Sequence, residues 1–252
     1  MTERGAVSSQ CPSCGSSERR PYAPECGHAL RECLTCGLVA MEHLPTAEEV
    51  ARLYRDAYQG ATAGYFAKAE KKLRRSRRRA RTLFRAMGAR PGLTLLDVGS
   101  SGGFMVEAAR REGFTATGVE IDPVSVDYAR RTYPSNDYFL GTIEAFAAVW
   151  SGASFDAAYC SEVIEHVTDV NGFVAALARC LAPGAILFLT TPDIGHWRRP
   201  KMLKDWDAFA PPSHCLYFTY RALAQLLAKH GLPVERRLFN WKPGIKVLAR
   251  RR

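Results

Sequence analysis

From Leu93 to the C-terminus, short apolar runs alternate with stretches of helical periodicity. Thr94–Val98, Ala116–Glu120, Asp137–Leu140, Phe155–Cys160 and Ala185–Thr190 read as strands, joined by later pieces near Val234–Phe239 and Ile245–Ala249. Gly103–Glu112, Pro123–Tyr133, Phe173–Leu181 and Tyr220–His230 fall between them as helices. Such strands suit a sheet covered on both faces, and their alternation with helices predicts an α/β fold around a doubly wound parallel sheet. Ligands of such sheets bind outside the carboxyl ends of the strands. Upstream, Phe66, Ala69, Leu73, Ser76, Ala80, Leu83 and Met87 recur at steps of three and four, a stripe along one helix from Tyr65 to Gly88. Thr46, placed ahead of Glu48 and Glu49, caps an earlier helix through Leu53 and Tyr54, which Gln59–Gly64 breaks.

A chain of 252 residues, 47% hydrophobic, is long enough for one large domain and a small appendage. Lys and Arg number 35 against 25 Asp and Glu, a net charge of +10, and Lys68–Arg85 alone carries ten cations and one anion. That stretch is read either as a solvated helix face docked on the next domain or as a docking strip for RNA, anionic lipid or a phosphorylated substrate. Phe84 alone among aromatic residues falls between its arginines, too few for the interleaving that base stacking would require, which favours the solvated face. No apolar run approaches the length of a membrane span and Met1–Arg20 has no apolar core, so a cytoplasmic protein is expected.

Five of the eight cysteines fall between Cys11 and Cys36, a pattern that in a reducing compartment points to a metal. Cys11-Pro12-Ser13-Cys14-Gly15 and Cys33-Leu34-Thr35-Cys36-Gly37 form two C-x-x-C-G knuckles. Each turn aims two thiolates at one point, and four soft ligands make a closed tetrahedral zinc site with no open position for catalysis. Cys26 and His28 lie between the knuckles as spare ligands. A redox pair would need a neighbouring βαβ pattern, and residues 1–45 show none. The expected organisation is a zinc ribbon over 1–44, basic linking helices over 45–90 and a larger domain over 91–252, with the metal supplying folding energy to a segment too short for its own core.

The first strand of the large domain ends in Asp97-Val98-Gly99-Ser100-Ser101-Gly102-Gly103, where glycines let the turn pass close beneath a ligand. Glu120 closes the second strand 21 residues after Gly99, where a carboxylate can accept both hydroxyls of a ribose. Residues 93 to about 249 thus resemble a class I S-adenosylmethionine-dependent methyltransferase of the quinone, sugar and natural-product type, with Asp97-x-Gly99-x-Ser101-x-Gly103 at its glycine-rich motif and Ser101 at the middle glycine. The resemblance implies a Rossmann-like sheet of seven strands and S-adenosylmethionine as cofactor. It implies Glu120 as the ribose acid with Ile121 beside it, Thr142 and Ile143 at the adenine, and Ser161, after Tyr159 and Cys160, at the methionine end. Leu181-Ala182-Pro183-Gly184 and the segment Pro211–Thr219 also follow the family, and a cysteine ribbon before such a domain is similar to methyltransferases of natural-product and cell-envelope pathways.

Methyl transfer requires positioning, exclusion of water, and a base only where the nucleophile is a hydroxyl or a weakly acidic carbon. His214, set among prolines and aromatics, ranks first as base and His166 second; each has a packing or backbone-bonding alternative. Glu162, Glu165 and His166 share one face if the segment is helical. With His214 they resemble the E-x-x-E-H plus distal histidine of small-RNA 2'-O-methyltransferases and quinone-pathway O-methyltransferases, which implies a divalent ion able to polarise a hydroxyl. The segment Ile194–Phe209 either roofs the acceptor pocket or seals a small core of its own. The expected partner is a small-molecule acceptor, anionic or phosphorylated among the choices, with an oxygen or carbon nucleophile on a sugar, quinone-like compound or secondary metabolite. RNA methylation, using the ribbon and the basic helix for binding, is the alternative.

Overall fold

The computed structural model describes residues 10–46, 49, 66 and 68–252. Three short strands come first, β1 (Arg19–Tyr22), β2 (Leu30–Cys33) and β3 (Val39–Met41). Of the helix expected from Thr46 to Tyr54 only the start falls among the described residues. It forms reciprocal capping bonds: the Glu49 amide donates to Thr46 Oγ1 at 3.2 Å and the Thr46 amide to Glu49 Oε2 at 2.8 Å. The rest of that helix and its break at Gln59–Gly64 lie outside the described residues.

Helix α1 (Ala69–Ala86) follows, then β4 (Thr94–Val98), α2 (Phe104–Arg111), β5 (Thr115–Glu120), α3 (Pro123–Thr132), β6 (Asp137–Leu140), α4 (Ile143–Val149), β7 (Phe155–Ser161), α5 (Val170–Cys180) and β8 (Leu181–Pro192). The chain ends with β9 (Leu216–Tyr217), α6 (Tyr220–Lys229), β10 (Val234–Arg237) and β11 (Gly244–Arg250). The large sheet has seven strands in the order β10-β11-β8-β7-β4-β5-β6. All are parallel except β11, which pairs antiparallel with both neighbours. The Rossmann-like sheet implied by the resemblance is therefore present.

Burial on both faces explains the apolar runs. Leu96 and Val98 of β4 face one core with α5 and α6, while Leu95 faces the other with α1, α2 and α3. In α1 the stripe delivers Ala80 and Leu83 to that second core, both fully buried, and Phe84 meets Phe114 edge-to-face at 5.4 Å. Short polar side chains start the helices: Asp122 caps α3, Thr142 α4, Asp169 α5 and Thr219 α6. Helix α4, which begins at Ile143 directly after its cap Thr142, is not among the helices expected from the sequence.

A second sheet, antiparallel, has the order β1-β2-β3-β9. Its last strand comes from late in the chain: Val39 pairs with Tyr217 and Ala40 with Leu216. Thr219, the cap of α6, also donates its hydroxyl to the Cys36 carbonyl at 2.7 Å. The cysteine-rich segment is thus stitched to the large domain at β9.

Candidate functional site

The carboxyl ends of β4, β5 and β7 open into a cleft of about 840 Å³, lined among others by Asp97, Gly99, Ser101, Glu120, Ile121, Thr142, Ile143, Ser161 and His166. Backbone strain shapes its floor. Gly99 and Gly103 take φ of 75° and 74°, and Ser101 takes 47°, a left-handed conformation costly for a side-chain residue. A Cβ on Gly99 would lie 2.3 Å from Val163 Cγ2, and one on Gly103 would lie 2.5 Å from the Tyr138 hydroxyl. Both positions therefore require glycine, because Val163 packs against one and Tyr138 against the other.

Glu120 is held on both oxygens. Its Oε2 accepts from the Ser101 amide at 2.7 Å, and its Oε1 accepts from the amides of Ile121 at 2.8 Å and Asp122 at 3.0 Å. These bonds fix the carboxylate at the edge of β5, yet burial dominates and leaves its pKa raised. Asp97, 2% exposed at the tip of β4, is held well above the usual carboxylate range by burial and then by the Glu120 charge. Ile121 is partly exposed on one side of the cleft and Ile143 is buried on another. Thr142 accepts from the Ala145 amide at 3.2 Å as the cap of α4, so its hydroxyl already has a structural duty.

The opposite wall comes from α1, which sequence reading had not placed at the site. Lys72, Arg75, Ser76 and Arg79 all line the cleft. Arg79 Nη1 donates to the hydroxyls of Tyr159 and Ser161, and its guanidinium lies 5.7 Å from the Tyr159 ring centroid. Burial and two like charges, from Arg75 and Lys68, bring Lys72 down to about 8. The signal was present in the stripe: Ser76 and Arg79 stand one and two turns from Lys72, along the edge of the row that ends in Leu83. The cations do not form one solvated strip. Arg77 and Arg81 both pair with Glu112 beyond the end of α2, at 3.0 and 2.8 Å, while Lys71, Arg74, Arg78 and Arg85 are exposed.

A cluster of Glu165, His166 and His214 lies beside the cleft, with ligand atoms within 4.8 Å of one another. The Nδ1 atoms of His166 and His214 each lie 2.8 Å from a backbone carbonyl, of Ser213 and Ala208 respectively. Because a carbonyl only accepts, each Nδ1 carries the proton and Nε2 becomes the acceptor atom of its ring. The rings meet edge-to-face at 4.4 Å. Burial lowers the pKa of His166, and burial together with His166 brings His214 down to about 4. Glu165, 1% exposed, accepts from Thr191 on Oε2 at 2.9 Å, while Oε1 is buried with no hydrogen-bond partner. The shared helical face expected for Glu162, Glu165 and His166 does not form. Glu162 has φ 57°, only Ile164–His166 makes a 3-10 turn, and Glu162 instead accepts from Thr190 at 2.9 Å. Glu162 therefore stands apart from the cluster.

In the ribbon, Cys11, Cys14, Cys33 and Cys36 bring their sulfurs within 4.8 Å of one another, with Cys11–Cys36 and Cys14–Cys33 each at 3.5 Å. Sulfurs bonded tetrahedrally to one zinc at about 2.3 Å stand about 3.8 Å apart, so the set suits that ion. The thiol of Cys36 and the backbone amides of Cys14 and Ser13 hold the Cys11 pKa down to about 5. Cys26 is not in this group; it packs with Leu30, Val39 and Trp206. That same small core takes Ile194, Leu203 and Phe209, so much of the segment Ile194–Phe209 seals the underside of the ribbon sheet, while Trp197 is 75% exposed.

Residues 65–236 match the family described as Methyltransferase domain. A ubiquinone biosynthesis O-methyltransferase of Hahella chejuensis is 32% identical over 177 residues, 63% of this chain and 74% of that protein. One from Xanthomonas campestris pv. campestris is 40% identical over 107 residues, 41% of this chain and 44% of the relative, so the match spans less than half of that protein's length. Among solved structures, the 1,6-didemethyltoxoflavin-N1-methyltransferase of Burkholderia thailandensis, with bound 1,6-didemethyltoxoflavin and S-adenosylhomocysteine, superposes with a TM-score of 0.61 at 18% identity, covering 87% of this chain and 96% of that one. The magnesium protoporphyrin IX methyltransferase of Synechocystis PCC 6803 does so with a TM-score of 0.57 at 16% identity, covering 80% and 100%. These structural likenesses bear on the fold. The family match takes in the glycine-rich turn, Glu120 and α1 together, and the chain belongs to the methyltransferase domain family.

Proposed function

We propose that the protein transfers a methyl group from S-adenosylmethionine to a hydroxyl oxygen of a small-molecule acceptor. One arrangement carries this reading: two buried carboxyl groups that make no ion pair among the described residues, Asp97 and Glu120, face a cleft whose opposite wall presents Arg79. A ligand with ribose hydroxyls for Glu120, a terminal carboxylate for Arg79 and a positive charge that favours ionisation of Asp97 satisfies all three. When bound, the cofactor would supply a methyl group on a sulfonium sulfur, and the acceptor oxygen would bond to that carbon as the carbon–sulfur bond breaks in line and S-adenosylhomocysteine leaves.

The residues position and desolvate. Glu120 accepts the ribose hydroxyls, Ile121 and Ile143 enclose the adenine, and Arg79 pairs with the carboxylate beside Ser161. Asp97 keeps the neighbourhood of Glu120 polar and dry. A neutral imidazole, His166 or His214, takes the acceptor proton on Nε2. In place of that base role, Glu165, His166 and His214 offer a donor set that would hold a divalent cation, which would lower the pKa of an acceptor hydroxyl. Cys11, Cys14, Cys33 and Cys36 hold a structural zinc. The ubiquinone-pathway relatives support oxygen over carbon as the acceptor atom and a quinone-like phenol as acceptor class.

Methyl transfer to a panel of catechols, measured with donor labelled on the methyl group, tests this reading. O-methyl products should form with wild type and fall at least tenfold in His166→Ala or His214→Ala, and no transfer to any hydroxyl by a protein that binds the donor would refute it.

A further inference from the structure

The basic helix supplies more cation to the cleft than one carboxylate requires. Arg75, one turn before Arg79 on α1, lies at the cleft, and among the described residues neither Arg75 nor Lys246 makes an ion pair. Lys246, outside the residues that line the cleft, stands on the neighbouring part of the same sheet face. In register, Ser161 of β7 pairs with Thr190 of β8, and Thr190 pairs with Lys246 of β11. Side chains paired across adjacent strands share a face, so these residues form one row, on the face where Arg79 meets Ser161 at 3.3 Å. The charges of Arg79 and Arg75, added to burial, depress the Lys246 pKa, so these groups are close enough to repel. Glu162, the acid of the adjoining turn, accepts from Thr190 and makes no ion pair with these cations. Three like charges whose nearest acid, Glu162, is tied to Thr190 and ion-pairs with none of them among the described residues favour an anion from outside.

We propose that Arg75 and Lys246 form a second anion subsite, which takes a carboxylate or phosphate carried by the methyl acceptor, next to the place where Arg79 holds the carboxylate of the cofactor. The proposal rests on the methyl-transfer reading of the cleft and assigns its acceptor class as a small acid. An acceptor anchored there lies beside Ser161, at the methionine end of the cofactor, and is aligned by charge before its hydroxyl reaches the methyl group.

The test is calorimetry on the full chain saturated with S-adenosylhomocysteine, titrated with inorganic phosphate in one arm and benzoate in the other, with catechol as the uncharged control. At least one anion should bind at a single site while catechol binds at least tenfold more weakly, and the tighter of the two identifies phosphate or carboxylate as the acceptor group. Arg75→Ala and Lys246→Ala should each weaken that anion at least fivefold, with Arg75→Lys recovering part of it and S-adenosylhomocysteine affinity within twofold of wild type. Binding of neither anion, or binding that both alanine variants leave unchanged, overturns the subsite. Loss of S-adenosylhomocysteine affinity in both variants, as in Arg79→Ala, overturns it as well, because the cations would then serve the cofactor. A wild-type chain that fails to bind S-adenosylhomocysteine refutes the methyl-transfer reading instead, and the anion titrations of the free chain then judge the subsite by the same criteria.

Discussion

Asp97 shows how one residue carries both a recognisable motif and a cost. It is 2% exposed, and burial with the Glu120 charge raises its pKa, so the folded chain favours the protonated form. A carboxyl whose folded pKa lies above its unfolded value of about 3.9 destabilises the fold increasingly as pH rises from there toward the folded value. Asp97→Asn should therefore melt at a higher temperature than wild type at pH 8, with the gap closing toward pH 4, while cofactor binding weakens; thermal scans across pH check this. Gly99→Ala should weaken S-adenosylhomocysteine at least tenfold and lower the melting temperature, because a Cβ at φ 75° meets Val163 at 2.3 Å. Asp97, Gly99 and Glu120 were legible because their spacing follows from a strand, a turn and the next strand. Arg79 was not, since its meaning depends on which face of a uniformly basic helix turns inward. The separation of Glu162 from Glu165 was hidden for a similar reason: a 3-10 turn breaks the periodicity that the spacing suggested.

At the scale of elements, α1 serves three purposes. Its apolar stripe buries Ala80 and Leu83 against α2, Arg77 and Arg81 clamp Glu112, and Arg79 enters the cleft. Arg79→Ala should weaken S-adenosylhomocysteine at least tenfold, whereas Arg74→Ala and Arg78→Ala, exposed on the same helix, should stay within twofold; isothermal titration distinguishes them. The ribbon is likewise more than an appendage. Strand β3 pairs with β9, the Met41 amide donates to the Cys215 carbonyl at 2.9 Å, and the Cys215 amide donates to the Glu165 carbonyl at 2.8 Å. Cys215 adjoins His214, so the cysteine-rich segment braces the histidine pair. Removal of zinc by a strong chelator should release one ion per chain, raise amide exchange at Cys215 and Leu216, and lower methyl transfer at least fivefold. A chain that carries no zinc and titrates its clustered thiols freely would contradict the metal site. The knuckles were legible from local spacing, but their sheet was completed by a two-residue strand far along the chain, and no local pattern announces such a pairing.

Across the whole molecule, two cores lie on opposite faces of the seven-stranded sheet and a third fills the space under the ribbon. Of the ten cations between Lys68 and Arg85, Lys72, Arg75 and Arg79 line the cleft, Arg77 and Arg81 pair with Glu112, and Lys71, Arg74, Arg78 and Arg85 are exposed, so the charge is divided between the cleft and the surface. No helix among the described residues is long and apolar enough to cross a membrane. Fold class was legible because alternation of buried strands and helices leaves few topologies, whereas the wall of the cleft opposite Glu120 depends on α1 meeting β7 through Arg79, Tyr159 and Ser161, which are remote in sequence. Calorimetric titration of the zinc-loaded full chain with S-adenosylhomocysteine tests the core of this reading most directly. Saturable one-to-one binding, weakened at least tenfold in both Glu120→Ala and Arg79→Ala variants that retain their fold, is the predicted result. No binding by the folded wild type, or binding that both variants leave intact, would contradict it.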